Sequence, residues 1–300
     1  MKYRKEPLSF EEQADILLKR GLQAKRTELT AKLAAVNYYR LSAYWYTFRQ
    51  KDSDQFLPDT NLETVWQRYV FDRHLRLHAI DAIERIEIAI RTQIVNLFTL
   101  QYGAFGHLKN DNLPNLSNLD HSRFIKYIRD EMRRSREEFV EHYEGKYSSE
   151  KDLPLWMACE LMTFGGLFTL FRGLKSRMQK DVAQEYGVPA IVLESWLGSI
   201  NYVRNLCAHH ARLWNRVLGV KPTMPKQELF AEWAAPDQTA RVANDRAYTI
   251  FTIFYFLLQQ IAPQSRWKYR LIDLFEQYEE VPKEFMGFPP NWQDSPIWQD

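Results

Sequence analysis

Residues 71–97 read FDRHLRLHAIDAIERIEIAIRTQIVNL, and apolar side chains recur in this stretch every three or four positions. Such spacing places them on one face of an α-helix. The predicted apolar stripe consists of Leu75, Ala79, Ile83, Ile86, Ile90, Ile94 and Leu97. The predicted opposite face carries charges, several of them in favourable i,i+4 pairs: Asp72, Arg76, Asp81, Arg85, Glu87 and Arg91. We therefore predict a long amphipathic helix.

The same periodicity extends to the rest of the chain, and no sustained alternation of apolar and polar residues indicates a β-strand. Ser9 and Glu12 fit a capping box, so a first helix is predicted to begin there and to end near Gly21. Further helices are predicted at 27–49, 119–146, 154–171, 191–212, 238–261 and 267–279. The fold class is therefore predicted to be all-α.

Two irregular segments divide this series of helices. Residues 103–117 mix Gly, Asn and Pro without a period, which predicts a long loop that is either an insertion or a lid. The tail from Val281 contains four prolines and is predicted to wrap on the surface. We predict one helical domain over residues 1–225 and a C-terminal helical extension, 226–300, packed on it.

An aromatic cluster within 27–49 is too large for one solvent-facing helix, and we predict that it packs in the core. Its members are Tyr38, Tyr39, Tyr44, Trp45, Tyr46 and Phe48.

The composition restricts the class of protein without naming a partner. Forty Lys and Arg against 38 Asp and Glu give a net charge of +2, so any affinity for phosphate must come from a local basic patch. Cys159 and Cys207 lie in apolar surroundings typical of buried thiols. The longest apolar run is far shorter than the ~20 residues of a membrane span. A soluble, reduced, cytoplasmic protein without membrane contact is expected.

The candidate catalytic residues lie together in residues 203–216, which read VRNLCAHHARLWNR. Arg204 and His209 lie about 140° apart around a helix and would flank one groove, whereas Asn205 and His209 would lie together at i,i+4. RNA cleavage needs a base for the 2′-hydroxyl proton, an acid for the leaving oxygen, and a cation for the charge that builds on phosphorus. Histidine supplies the first two roles and arginine the third, without a metal. The internal 2′-hydroxyl nucleophile predicts RNA as the substrate.

This segment resembles the abortive-infection family (AbiD/AbiF-like), and R-N-x-x-x-H fits the R-x(4–6)-H signature of HEPN ribonucleases. Three further blocks resemble that family in the expected order, so that the likeness covers about residues 30–220: NYYRLSAYWYTF at 37–48, FDRHLRLHAIDAIERIEIAIRTQI at 71–94 and LPLWMACELMTFGGLFTL at 153–170.

The resemblance implies a HEPN-like helical bundle that forms a homodimer through its motif helices. Each protomer would give one Arg and one His to a composite endoribonuclease site that needs no metal or other cofactor. It also implies a role in phage defence or as a toxin, with RNA as substrate and a structured noncoding RNA as a possible antitoxin.

Within this interpretation, His209 is the predicted general acid and base, Arg204 stabilises the transition state and Asn205 holds their geometry. His210 also satisfies the spacing, and either a catalytic role or phosphate contact is open to it. An RNA-binding set follows the motif, for which anchoring of the tryptophan against the bundle is the alternative: Arg212, Trp214 and Arg216.

Glu84, Glu87 and Arg91 share one helical face and are predicted either to orient the motif side chains or to form a salt bridge on a solvated face. Arg73 and His78 form a second R-x(4)-H, which would give one chain two half-sites and allow it to act as a monomer. We do not favour this interpretation, because so short a pattern arises easily by chance. His74 and His78 have an i,i+4 spacing seen in zinc sites, but no further ligand is nearby and no metal site is predicted.

Four basic residues are predicted to share one helix face: Lys126, Arg129, Arg133 and Arg136. Such a face is able to follow an RNA backbone, but intervening glutamates favour an ordinary solvated face. The alternative function is a non-catalytic RNA-binding or regulatory module that holds a structured RNA. Nucleotide transfer lacks support, since the sequence shows neither a Gly-rich phosphate loop nor an acidic metal pair.

Overall fold

The computed structural model describes residues 2, 6–226 and 244–299. Over these residues the fold is all-α, as predicted, and no β-strand occurs among them. Twelve α-helices are described, and we number them in chain order: α1 Phe10–Lys19, α2 Arg26–Val36, α3 Tyr38–Trp45, α4 Leu62–Tyr102, α5 Asn118–Arg134, α6 Glu138–Lys146, α7 Leu155–Ala158, α8 Phe164–Gly173, α9 Ser176–Gln184, α10 Ala190–Ala208, α11 Ala247–Ile261 and α12 Trp267–Gln277.

Helix α4 is the central element, with 41 residues. The Asn61 side chain caps its start by accepting the Thr64 N–H at 2.9 Å. The helix ends at Tyr102, and its C-cap residue Gly103 has a φ of 76°, which suits glycine. The predicted apolar stripe from Leu75 to Ile94 is buried, against α3, α9, α10, α11 and α12. Each fully buried leucine or isoleucine contributes about 1.5–3 kcal/mol. The packing of this stripe therefore organises the bundle.

The predicted charged face of α4 is only partly solvated. Asp81 pairs with Arg85 at 3.1 Å, as the i,i+4 spacing predicted. Asp72 and Arg76, however, are buried, with 0% and 7% of their surfaces exposed. The prediction that these two residues lie on the outer face is wrong, because the turn that follows α10 covers them.

The N-terminal helices confirm one prediction and correct another. The reciprocal capping box is present: Ser9 N–H donates to Glu12 at 2.7 Å, and Glu12 N–H donates to the Ser9 hydroxyl at 3.2 Å. The predicted single helix over 27–49 is interrupted at Asn37, whose φ is 74°. The aromatic cluster lies wholly after this break, and the prediction that it packs in the core holds only in part: Tyr44 and Trp45 are buried, whereas Tyr39 and Tyr46 are 86% and 69% exposed.

Residues 103–117 contain two short 3-10 turns and no α-helix, as the loop prediction required. His107 and Leu113 are fully buried, and Leu116 is 9% exposed. The Asn115 side-chain amide also donates to the carbonyl of Leu174 at 2.6 Å. The loop is therefore packed onto the bundle through its own side chains.

Three more predicted helices are shorter than expected. The stretch 119–146 breaks between α5 and α6, and 154–171 breaks at Met162 and Thr163, where Thr163 caps α8. Helix α10 ends at Ala208, so Arg212 lies beyond it. None of these breaks contains Gly or Pro. The sequence therefore contained no helix-breaking residue that would have predicted these breaks.

The C-terminal part packs against α4 through α11 and α12. The predicted start of a helix at residue 238 lies outside the described residues, which resume at Asn244. The prediction that the tail wraps on the surface is wrong. Met286, Trp292 and Trp298 are buried, and Trp298 stacks on Tyr255 with ring centroids 4.8 Å apart. In the described part of the chain, no helix has both the length and the apolarity needed to cross a bilayer.

Candidate functional site

A groove of about 800 Å³ lies between the α2–α3 junction, α4 and the end of α10. Aliphatic side chains of α4, among them Leu77, Ile80 and Ile83, form part of its lining. Charged and titratable side chains from three elements share it: Arg40, Arg73, Arg76, Glu84, Glu87, Arg204 and His210. The groove thus combines an apolar wall with a predominantly basic rim.

Arg204 occupies the last turns of α10 and is half-buried in this groove. Its Nη1 lies 3.5 Å from Oδ1 of Asn205, which is itself exposed. Within the described part of the chain, no carboxylate is within ion-pairing distance of Arg204, Arg40 or Arg73. Three guanidinium groups therefore face one groove with charge available for an anion.

The end of α10 is closed by a Schellman motif that contains both histidines. His209 is the C-cap residue, and His210 follows in the left-handed region with φ 57°. The His210 N–H donates to the Cys207 carbonyl at 3.0 Å, and the Ala211 N–H donates to the Leu206 carbonyl at 2.8 Å. Both imidazoles are exposed, and the groove lining includes His210 but not His209. In one chain, Arg204 therefore shares the groove with the second histidine, while His209 lies outside it.

The turn after α10 is fixed by Asp72, a residue that lies outside the predicted site. One carboxylate oxygen accepts the N–H groups of Leu213 and Trp214 at 2.9 and 2.6 Å. The other accepts the Tyr44 hydroxyl at 2.6 Å and the Arg76 guanidinium. Burial raises the pKa of the Asp72 carboxyl, and these four donors oppose that effect.

A sequence signal for this burial existed. Asp72 and Arg76 precede the buried Ala79 and Ile83 by seven residues each, or two helical turns, which places all four on the same face.

Helix α3 also holds this turn. Nη1 of Arg40 donates to the His210 carbonyl at 2.5 Å, and Nη1 of Arg212 donates to the Ala43 carbonyl at 2.7 Å. Arg40 was not singled out from the sequence, since nothing local distinguishes it from other surface arginines. The two contacts tie the segment carrying the histidines to the α2–α3 junction.

The predicted RNA-binding set after the motif is corrected in part. The Trp214 side chain is fully buried and donates from Nε1 to the Pro282 carbonyl at 3.2 Å, so its ring offers no face to a base. The alternative of structural anchoring applies to it. Arg212 is half-buried, which lowers the pKa of its guanidinium, and Arg216 donates to the Arg212 carbonyl at 3.1 Å. Both arginines support the turn through backbone carbonyls.

Glu87 and Arg91 form an i,i+4 pair at 2.7 Å, and Arg91 also donates to the Met162 carbonyl at 3.3 Å. Burial raises the pKa of the Glu87 carboxyl, an effect that the charges of Arg91 and Arg204 oppose. Glu84 is exposed in the groove. Glu87 is therefore close enough to influence Arg204, and a positioning role remains a prediction.

The second R-x(4)-H motif does not form a site. Arg73 is exposed in the groove, whereas His78 is buried and stacks on Trp267 with ring centroids 4.3 Å apart. His74 lies 3.3 Å from the Tyr278 hydroxyl. Among the residues that the structure describes, no three His, Cys, Asp or Glu side chains form a group that could hold a metal ion.

Of the predicted basic face, two residues of α5 are in ion pairs, and Arg136 lies in the break after α5, so its predicted place on that face is wrong. Arg129 pairs with Asp152 at 2.6 Å, and Arg133 pairs with Asp130. Lys126 and Arg136 are exposed. This arrangement agrees with the solvated face that the sequence favoured.

Comparison with known proteins places this site within a recognised family. The family model described as Abi-like protein matches residues 31–215, more than half of the chain. The matched region begins in α2, includes α4 and α10, and ends just after the buried Trp214. No curated protein and no solved structure matches the chain.

Proposed function

The chain belongs to the Abi-like protein family, a membership that suggests a role in phage defence, and we propose that it acts there as a metal-independent endoribonuclease of the HEPN type. The observation that carries this proposal is the end of α10. There Arg204 faces a basic groove, and two exposed imidazoles follow within six residues.

The proposed reaction uses the 2′-hydroxyl of RNA as the nucleophile. A neutral imidazole takes the 2′-hydroxyl proton as the O2′–P bond forms, and an imidazolium donates a proton to the 5′-oxygen as the P–O5′ bond breaks. Arg204 stabilises the negative charge on the phosphoryl oxygens in the transition state. The products are a 2′,3′-cyclic phosphate and a 5′-hydroxyl end.

Concerted proton transfer needs two imidazoles. Within one chain, however, His209 lies outside the groove that holds Arg204. A homodimer resolves this mismatch, because His209 of a second copy can complete the groove. The proposed active species is therefore a dimer. Light scattering gives the oligomeric state of the active protein. A fully active monomer would contradict this part of the proposal.

The test is cleavage of single-stranded RNA by purified wild type, Arg204→Ala and His209→Ala in the presence of EDTA. Each substitution is expected to reduce the rate by about 100-fold or more, because general acid–base and charge stabilisation each contribute at least that much. His142→Ala and Arg134→Ala, exposed residues outside the groove, are matched controls that should cut at the wild-type rate. Circular dichroism verifies folding of every variant.

Sequencing of the cut ends identifies the products, and a 2′-deoxy nucleotide at the cut position should abolish cleavage. Full activity in both Arg204→Ala and His209→Ala would refute the nuclease proposal.

The placement of His209 outside the groove favours a second candidate, a non-catalytic RNA-binding module. In that case, folded wild-type protein binds structured RNA but leaves every RNA tested intact.

A further inference from the structure

Tyr39 is unusual among the large side chains of this protein because 86% of its surface is exposed. It lies in the first turn of α3, where its N–H donates to the Asn37 side chain at 2.8 Å and its carbonyl accepts the Ser42 hydroxyl at 2.7 Å. Asn37 itself has a positive φ of 74°. The backbone beneath the ring is thus held at several points, while the ring faces solvent.

The ring borders a shallow depression of about 470 Å³ beside the main groove. Arg40, His210 and Arg212 share its lining with Asn37 and Tyr39. Arg40 and His210 also line the main groove, so the two surfaces are continuous. The hydrogen bond from Arg40 to the His210 carbonyl joins two residues that both surfaces share.

Charge along this surface favours a polyanion. Arg204, Arg73 and Arg40 lie on it, and in the described ranges none of the three has a carboxylate within ion-pairing distance. Glu84 and Glu87 also line the groove, but Glu87 is paired with Arg91. A surface with guanidinium groups at intervals and an exposed aromatic ring at one end suits a strand of nucleotides. Phosphates neutralise the cations, and an unpaired base stacks on the ring. A paired base cannot stack in this way without leaving its duplex.

We propose that the depression beside Tyr39 is a subsite for single-stranded RNA, in which the base of a nucleotide flanking the scissile phosphate stacks on the Tyr39 ring and Arg40 contacts its phosphate. This inference rests on the proposed function for its ligand, RNA, but it concerns binding and does not require that the RNA be cut.

The test measures binding of a fluorescein-labelled, 12-nucleotide single strand of mixed sequence with 2′-O-methyl groups, which cannot supply the 2′-hydroxyl nucleophile. Fluorescence anisotropy at one fixed salt concentration gives the Kd. Tyr39→Ala should bind about tenfold more weakly than wild type, the loss expected for one base–aromatic stack. Tyr39→Phe and Tyr39→Trp keep a ring and should bind within about twofold of wild type.

Tyr46→Ala is the matched control, because Tyr46 is also an exposed tyrosine, 69% exposed, but lines neither surface. It should bind as wild type does. Tyr39→Leu, which is apolar without a π-face, should weaken binding as Tyr39→Ala does. A duplex of the same sequence should show no dependence on Tyr39. Since the side chain is exposed, none of these substitutions removes a core contact.

Wild-type affinity in Tyr39→Ala, restoration of binding by Tyr39→Leu, or no binding of the single strand by wild type would each overturn the subsite. Its failure is distinguishable from failure of the nuclease proposal. Tyr39-dependent binding without cleavage of any RNA leaves the subsite in place and removes the enzyme. Cleavage of RNA together with binding that does not depend on Tyr39 supports the enzyme and removes the subsite.

Discussion

The buried carboxylate of Asp72 in α4 accepts the backbone N–H of Trp214 at 2.6 Å, across 142 positions of the sequence. The same oxygen accepts the N–H of Leu213 at 2.9 Å. Since these residues follow the two histidines by only three to five positions, the long central helix sets where the motif turn lies. The proposed catalytic end of α10 is therefore positioned by a residue outside the motif.

Removal of this carboxylate should be costly. Asp72→Ala leaves the Arg76 charge and two backbone N–H groups buried without an acceptor, and we expect a loss of about 3–5 kcal/mol in the free energy of unfolding. Urea denaturation followed by circular dichroism measures it. Asp54→Ala breaks ion pairs with Arg20 and Arg49 in which the aspartate side chain is 51% exposed, and should cost roughly 1 kcal/mol or less. Equal, small losses in both variants would contradict the anchoring role.

If Asp72→Ala does not fold, Asp72→Asn serves as the second variant. It keeps an oxygen for the two backbone donors but removes the negative charge that pairs with Arg76. It should be less stable than wild type, and wild-type stability would count against a charged anchor.

The left-handed backbone of His210 predicts a stabilising substitution. A side chain with a Cβ pays a conformational penalty at φ 57°, which glycine avoids, so His210→Gly should raise the free energy of unfolding by about 1 kcal/mol. Urea denaturation at neutral pH checks this. His209→Gly is the control, because the φ of His209 is −88° and glycine there should destabilise the protein by about 0.5–1 kcal/mol. A less stable His210→Gly would mean that the imidazole makes stabilising contacts in the fold.

The stability of the protein should fall in mild acid. Burial, together with the charge of Arg270, lowers the pKa of His78 from 6.5 to about 4, with Asp81 opposing the shift. The unfolded chain therefore takes up this proton at a higher pH than the folded chain does. The His78 contribution is fully present above pH 6.5 and is lost as the pH falls towards 4, at about 1.4 kcal/mol per pH unit.

His78→Phe preserves a ring against Trp267 and should remove one proton from the pH dependence of unfolding between pH 6.5 and 4. Urea titrations at a series of pH values give the slope. Burial also lowers the pKa of His107 to about 4, so adding His107→Phe should remove a second proton. An unchanged slope in His78→Phe would contradict the assignment.

Several features followed from local sequence alone. The three-to-four spacing of apolar residues in 71–97 predicted the stripe of α4, and Ser9 with Glu12 predicted the first cap, because both depend on interactions within one or two helical turns. The candidate motif residues Arg204, Asn205, His209 and His210 were identified from their spacing and from the family resemblance, and their roles stay a prediction. The positions of Arg40 and Tyr39 beside them were not, since they come from a helix 160 or more residues earlier in the chain.

Only the tertiary structure decided the burial of polar groups whose hydrogen-bond partners are distant in sequence. Whether Asp72 is solvated or buried depends on the N–H groups of Leu213 and Trp214, which reach it only when the chain has folded back. The same applies to the turn after α10, which Arg40 of α3 and Asp72 of α4 hold by hydrogen bonds to its backbone. Local patterns determined which segments are helical, and long-range contacts determined which charged side chains are buried and which face the groove.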